Sequence, residues 1–567
     1  MHRCGTKAHH LSEPKTRCDI NASRVLSSQK CREASPDYAR AGNIIKPMHN
    51  ALTKSLRAIH VQVTKFFDQL REALCDDRRE GTVALLLAGY AFFWTLYDVM
   101  SRYGEGIHHD MGEMVAWSHD LALGSPKHPQ MGAWIAGLWF SVFPQQDWAF
   151  YLLANVLIAI TLWFAWLLTE NRLSDDKRVA GLAFLMLVPF FNFFAWKYNA
   201  NTILIPLWAA TTYFFIRSME TRAPVMAALA GFAAAAAMMG KYWSIFLLAG
   251  LAIAALFNPQ RREYFRSSAP WITILAGVLA IAPHLYWVAS HHFVTLDYAL
   301  EGHRAGTLFN SLEDAGIYLS GAAAYLALPV FLLIWFARPK FAALLDTFWP
   351  QAGARRFLLA AFSLPILLPI PVALLNKTGL SAIWAMPAYI LAPIVLLSSP
   401  KLEISPAAAR KILAVAAAFT LVALVIAPAR ALRIHEAGAA HYRDSYRLLA
   451  HAVTKEWKKT SGAPLSIFGS AGDIGNGASF YVRDRPSVLN IVRQNETTAI
   501  DSARIGRQGI AMVCAVEQER CVRAADKITE GRPGVRRTER TISRHYRGAA
   551  SRGYRFLIVI VPPEAAG

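Results

Sequence analysis

The feature that leaves this chain fewest ways to fold is an array of long apolar runs. Eleven stretches qualify: 82–100, 147–168, 179–196, 200–218, 224–239, 242–257, 270–289, 315–337, 357–375, 380–398 and 412–428. Most approach the roughly 17–25 helical residues that cross a bilayer core. In hydrocarbon each backbone N–H and C=O must be satisfied inside the segment, which continuous apolar runs achieve as α-helices. The chain is 54% hydrophobic and only 17% charged, outside the range of an ordinary soluble domain. The expectation is an all-α polytopic membrane bundle of about eleven transmembrane helices.

A net charge of +20 raises the question of nucleic acid. The distribution answers it: Lys and Arg are divided between short loops and the two chain ends, the pattern that orients membrane helices. A twelfth apolar run, 130–143, is only about four helical turns long and reads as an interfacial helix. Leaving it outside the count, with the N-terminus cytoplasmic, puts Arg172, Lys177, Arg178, Arg217, Arg222, Arg261, Arg262, Arg266, Arg338, Lys340, Arg355, Arg356, Lys401, Arg410 and Lys411 inside. Outside stand Arg102, Lys127, Lys197, Lys241, Arg304 and Lys377. Were 130–143 to cross, every later loop would change sides and the bias would reverse.

Three parts follow. Residues 1–80 form a cytoplasmic, partly disordered segment in which 1–47 reads as an extension and Met48 as an alternative start. The first apolar run is too long, and too far along the chain, for a cleaved signal peptide. Residues 81–429 form the membrane part. Residues 430–567 form an external α/β domain, with strand-like runs at 464–468, 487–492, 509–515 and 554–561 and helical patterns near 440–459 and 517–527. Its glycine-rich stretch 469–477 lacks the Lys and spacing of a phosphate loop and reads as a plain loop. Cys4, Cys18, Cys31 and Cys75 match no zinc spacing. Cys514 and Cys521, if external, lie where a disulfide can form, and pairing or two free thiols both remain open.

The external loops carry the chemistry. After the first span comes Gly106-Ile107-His108-His109-Asp110-Met111-Gly112-Glu113, then His119, Asp120 and Lys127-His128-Pro129. Asp110 and Glu113 are three apart and share a face on a helix. One reading makes them solvated loop groups. The other makes a carboxylate the base for an incoming hydroxyl or amine while cations hold a phosphate leaving group. His108 with Asp110 and Glu113 also looks like metal ligands, so a divalent metal stays open and no cofactor is required. Lys197, Lys241 and Lys377 end spans on the same side, where such residues usually snorkel to headgroups. All three fall on the same side as Asp110, where converging cations would suit a lipid phosphate. The loop 290–314 adds His291, His292, Asp297, Glu301, His303 and Arg304, and His284 lies within a span, where an imidazole has a partner or a function.

An acidic motif in the first external loop, a His-Pro element leading into an amphipathic Trp-bearing helix, and many spans together resemble the GT-C glycosyltransferases. The nearest branch holds the protein O-mannosyltransferases and the aminoarabinose transferases of lipid A (glycosyltransferase family 39 and relatives). The resemblance covers 82–430 and is most specific over 82–260. It implies that Asp110 is the catalytic carboxylate, with Glu113 the second acid. His128-Pro129-Gln130-Met131 matches the family's His-Pro element, which implies that His128 and Lys127 lie near the donor phosphate, and Trp134 fills its aromatic position. The family often has Glu beside the Asp, where this chain has Met111. It often has an Asp in the second loop, where this chain has Asn199 and Asn201.

The implied reaction moves a sugar from a polyprenyl-phosphate donor, with inversion, to an envelope glycan, lipid or protein acceptor at the outer face of a bacterial inner membrane. Asp110 is the base. Lys127, His128, Lys241 and Lys377 hold the phosphate. His109, Trp134, Lys197, Asn199 and Asn201 contact substrate. A transporter or flippase is the competing class; against it, no repeat links the two halves and few charges lie within the spans. A relative that keeps the fold without the reaction is a third reading.

Overall fold

Each of the eleven apolar runs becomes helix. The structure is a computed structural model that describes residues 36–76, 81–119, 122–301, 306–493 and 500–564. Cys4, Cys18, Cys31, Asp120, His303 and Arg304 lie outside the described residues. The chain divides into two compact units, Met1–Lys65 and Phe66–Gly567. The described part of the first belongs to one helix, Pro36–Cys75. Residues 36–47, expected to be disordered, are therefore helical.

Among the described residues, six helices of the second unit are long and apolar enough to cross a membrane: Gly81–Ser101, Asp147–Thr169, Ala269–Ser290, Leu308–Ala337, Gly353–Asn376 and Pro406–Ala437. The other runs are shorter or interrupted, and proline marks several breaks, since it cannot donate to the helical ladder. Run 179–196 is helical over Asp175–Leu187, then tightens to a 3-10 turn at Pro189–Phe191. Run 380–398 is 3-10 over Ala382–Leu391 and α-helical over Ala392–Leu397. Helices Pro224–Gly240 and Ala269–Ser290 pack through glycine: a Cβ on Gly231 would lie 2.3 Å from the Thr273 carbonyl. Small residues at such crossings let membrane helices approach closely. Two short helices, His109–Ser118 and Met131–Val142, flank the loop between the first two long spans. The second of these is the segment expected to be interfacial.

Among its described residues the C-terminal α/β domain has seven strands: β1 (Ile467–Ser470), β2 (Ser487–Asn490), β3 (Ile510–Ala515), β4 (Arg536–Ile542), β5 (His545–Tyr546), β6 (Ala549–Ala550) and β7 (Tyr554–Val561). Five form one sheet in the order β2-β1-β3-β7-β4, and β5 pairs with β6. β1 runs parallel to β2 and β3, while β7 is antiparallel to β3 and β4. The sheet is covered on both faces. Val513 and Ile558 face Tyr446, Val453 and Trp457, whereas Met512 and Val559 face Ile505 and Ala525. Cys514 and Cys521 lie in that second layer and form a disulfide.

The glycine-rich stretch corrects the sequence reading. Its first part ends β1, and Gly472–Ser479 is a helix rather than a loop. Its glycines serve close packing: a Cβ on Gly477 would fall 1.9 Å from the Tyr446 ring. On its other side the helix meets His109–Ser118, where a Cβ on Gly112 would lie 2.1 Å from the Asn476 carbonyl oxygen. Around this seam Arg443 pairs with Glu105 at 2.6 Å, and the Tyr481 hydroxyl donates to Asp147 at 2.6 Å while accepting from the Ile107 amide. The α/β domain is thereby seated against the loop that carries Asp110.

Candidate active site

Asp110 lies in the first turn of helix His109–Ser118, where the helix dipole favours an anion. His108 caps that helix: its Nδ1 accepts from the Asp110 amide at 3.2 Å. Burial pushes the His108 imidazole down to about 2, which leaves it neutral and able to accept.

The Asp110 carboxylate is held from several directions. His109 Nε2 is 3.0 Å from Oδ1, and on Oδ2 converge Lys197 Nζ at 3.1 Å and the Asn199 amide at 3.0 Å. Burial opposes its charge, yet the bond from His109 and the Lys197 ammonium hold the carboxyl well below the usual carboxylate range. Asp110 is therefore ionised at neutral pH.

The segment that carries Lys197, Asn199 and Asn201 is an Asx turn. Asn199 Oδ1 accepts from the amides of Asn201 and Thr202, at 2.9 and 3.1 Å, just before helix Leu204–Thr221. That turn aims the Asn199 amide at Asp110 and leaves Asn201 Oδ1 to accept from Lys241 Nζ at 2.7 Å. The two asparagines thus join a carboxylate to a lysine without adding charge. Tyr198, between them and Lys197, donates to the Gly132 carbonyl at 2.6 Å and fixes the helix Met131–Val142.

Lys241 opens onto a cavity of about 420 Å³ lined also by Lys127, His128, Tyr242, Trp243 and Trp384. Its ammonium lies 4.9 Å from the Trp384 ring centroid, a cation–π contact. Burial pulls the Lys241 ammonium down to about 8. Lys127 is steadied by Glu113, whose carboxylate oxygens accept from Nζ at 3.0 and 2.9 Å. Burial works against the Lys127 charge, but Glu113 beside it lifts the ammonium above its ordinary range. Two cations and an imidazole over an aromatic and aliphatic wall make a site for an anionic headgroup with an apolar tail.

The structure thus brings together Asp110, His109, Lys197, Asn199, Asn201 and Lys241, and around the cavity Lys127, His128 and Lys241. Glu113 serves Lys127 and is not among the close metal-ligand groupings of the described residues. Trp134 donates to the Ala122 carbonyl at 3.1 Å, supporting the loop, and is not among the cavity-lining residues. Lys377 caps a helix in the left-handed region, exposed, outside the cavity lining. His284 is hydrogen-bonded to the Tyr242 hydroxyl and the Leu123 carbonyl, both at 2.7 Å.

Two residues at the site were not singled out from sequence. His441 Nδ1 is 3.0 Å from Asp473, and Asp473 is 3.7 Å from His109 Nε2. Both come from the C-terminal domain.

Residues 127–287 match the family model described as dolichyl-phosphate-mannose-protein mannosyltransferase. Among solved structures the chain is similar to ArnT from Cupriavidus metallidurans bound to undecaprenyl phosphate, with a TM-score of 0.54 and 12% identity, covering 86% of this chain and 99% of that one. The apo state of the same ArnT matches at a TM-score of 0.54 and 10% identity, over 85% and 98% of the two chains. Among curated proteins, none matches this sequence. The family match covers part of the chain, and over most of its length the chain shares the fold of ArnT.

Proposed function

We propose that this protein is a membrane glycosyltransferase of the GT-C type, which moves a sugar from a polyprenyl-phosphate carrier to an envelope glycan, lipid or protein acceptor at the periplasmic face of a bacterial inner membrane. The excess of Lys and Arg on the loops opposite Asp110 supports that orientation, with the N-terminus cytoplasmic and the α/β domain outside.

One observation carries the reading: a cation-lined, apolar-walled cavity joined to an ionised carboxylate through Lys241, Asn201, Asn199 and Asp110. The carrier phosphate would lie against Lys127, His128 and Lys241, its tail along the aromatic wall. The fold relative was solved with undecaprenyl phosphate bound, which is the class of ligand such a cavity suits. The acceptor hydroxyl or amine enters from the side of the α/β domain and takes the place of one of Asp110's present donors. Its heteroatom attacks the anomeric carbon, the bond from that carbon to the phosphate oxygen breaks, and the proton passes to Asp110. The cations take up the charge that develops on the departing phosphate. Attack opposite the leaving group inverts the anomeric centre.

The test is transfer by purified protein in lipid, using radiolabelled polyprenyl-phosphate sugars and a membrane extract as acceptor. Asp110→Asn should lower transfer about a hundredfold or more while still binding donor. Equal transfer by a folded Asp110→Asn protein would remove Asp110 as base.

A further inference from the structure

We propose that His109, His441 and Asp473 form a divalent transition-metal site on the seam between the helix His109–Ser118 and the C-terminal α/β domain. The three residues come from three separate parts of the chain, and their ligand atoms all lie within 4.8 Å of one another. Two imidazoles and a carboxylate suit zinc, manganese or cobalt rather than calcium or magnesium, which prefer oxygen-rich shells. Three protein ligands leave coordination positions for water or substrate.

The fold makes the juxtaposition. His109 opens the helix His109–Ser118, and Asp473 lies in the first turn of Gly472–Ser479. Those helices meet through Gly112, whose side-chain-free surface lets the Asn476 backbone approach. His441 sits in the 3-10 segment Ala440–Ser445 that follows the last long helix. Its φ is +56° and that of Tyr442 +59°, a region costly for residues with a Cβ. The Tyr446 hydroxyl holds this bend by donating to the His441 carbonyl at 2.7 Å. The His441 ring thereby stands 4.9 Å from that of His109, edge to face. Asp473 and His441 are about half exposed, so the site is open to solvent on one side.

The site is coupled to Asp110 through one atom. His109 Nε2 is the nitrogen that lies 3.0 Å from Asp110 Oδ1 and 3.7 Å from Asp473 Oδ1. To hold an ion, that nitrogen would give up the hydrogen it donates to Asp110, the ring proton shifting to Nδ1, so occupancy would alter the carboxylate next to it. Binding is read here on the ion alone, so this proposal and the transfer reading can fail independently.

The experiment uses full-length protein in nanodiscs, stripped with chelator and titrated with Co²⁺ or Zn²⁺ alone. Bound metal is measured by equilibrium dialysis and elemental analysis, and the Co²⁺ absorption spectrum reports the ligands. The first residues carry His2, Cys4, His9, His10, Cys18 and Cys31, so the reading is the difference between proteins. Relative to wild type, His441→Ala and Asp473→Asn should each lose about one equivalent, or weaken it about tenfold or more. The lost Co²⁺ signal should lack thiolate charge-transfer bands. Asp473→Asn is isosteric and partly exposed, so it carries the test if His441→Ala does not fold. The same stoichiometry and affinity in wild type and a folded Asp473→Asn would overturn the site and leave His441 and Asp473 as an ion pair only.

Discussion

Asn199 donates from its side-chain amide to Oδ2 of Asp110 at 3.0 Å, across 89 residues of sequence. Its own oxygen is already taken by the backbone amides of Asn201 and Thr202. An aspartate here would keep the turn, because it needs only the acceptor, but would set a second carboxylate against the first. At about 4 Å in a half-buried site such repulsion is of the order of 4 kcal/mol. Asn199→Asp should therefore lower kcat about tenfold or more with the fold intact, and more severely than Asn199→Ala. Steady-state transfer at saturating donor checks this, and wild-type turnover in Asn199→Asp would contradict the pairing.

Lys241 is the cation of the proposed phosphate site most exposed to titration, because burial brings it down to about 8. Its charged form is the one that binds phosphate. Donor affinity should be full below pH 8 and fall as pH rises through that value, by up to about tenfold per unit. Bound phosphate would move the midpoint upward. Lys241→Arg should flatten the profile, since guanidinium stays charged. Donor KM measured from pH 6.5 to 9.5 decides it; identical slopes in the two proteins would remove Lys241 from the phosphate site.

Glu113 and Lys127 form a pair whose members cannot be removed singly without cost. Glu113 is buried and Lys127 about a third exposed, so Glu113→Gln strands a partly solvated cation. A loss of about 1–3 kcal/mol is expected, below that of a fully buried pair. Removing both, as Glu113→Gln with Lys127→Met, should recover part of the stability while donor binding stays weak. Thermal melts in detergent combined with donor binding form the cycle. Additive losses would mean the two groups are not coupled.

The spans and the acidic loop could be read from local sequence because both are local properties: apolar run length, and carboxylates and imidazoles in an otherwise hydrophobic stretch. What could not be read is pairing at a distance. Nothing near Lys127 says that Glu113 will neutralise it, and nothing near Asn201 says that Lys241 will reach it 40 residues later. The helix Gly472–Ser479 reads as a loop in sequence because its glycines are poor helix formers, and they are there for close contact with Tyr446, Ser470 and Val488. That misreading hid Asp473, and His441 was hidden by a polar stretch without a motif. β4 escaped notice because, as an exposed edge strand rich in Arg, it lacks the apolar alternation that marks a strand.

The Cys514–Cys521 disulfide gives a test of compartment. If the α/β domain is periplasmic, peptides from protein prepared with thiols blocked at lysis should show these two cysteines joined and Cys75 alkylated. Closing so short a loop is worth about 2.5 kcal/mol in the chain-entropy treatment. Cys514→Ser with Cys521→Ser should then lower the stability of the domain by about that amount. Free thiols at both positions in the native membrane would argue for the opposite orientation.

At Gly112 the α/β domain packs directly on the helix His109–Ser118. A methyl on Gly112 would lie 2.1 Å from the Asn476 oxygen and 2.6 Å from its carbonyl carbon, both backbone atoms that cannot swing aside. Gly112→Ala should push helix Gly472–Ser479 away from His109–Ser118 at a cost of about 1–3 kcal/mol. The cavity lined by Lys127 and Lys241 lies on other elements, so donor binding should change less than about twofold. Turnover should fall more, because the displaced helix carries Asp473 beside His109 and Asp110. Gly89 is the control: it lies within helix Gly81–Ser101 with open space where a Cβ would go, so Gly89→Ala should be neutral or slightly stabilising. The contrast is read by limited proteolysis of the α/β domain, donor binding and transfer in the three proteins. Gly112→Ala with wild-type protease resistance and wild-type turnover would mean that the seam yields freely and that the α/β domain does not shape the site.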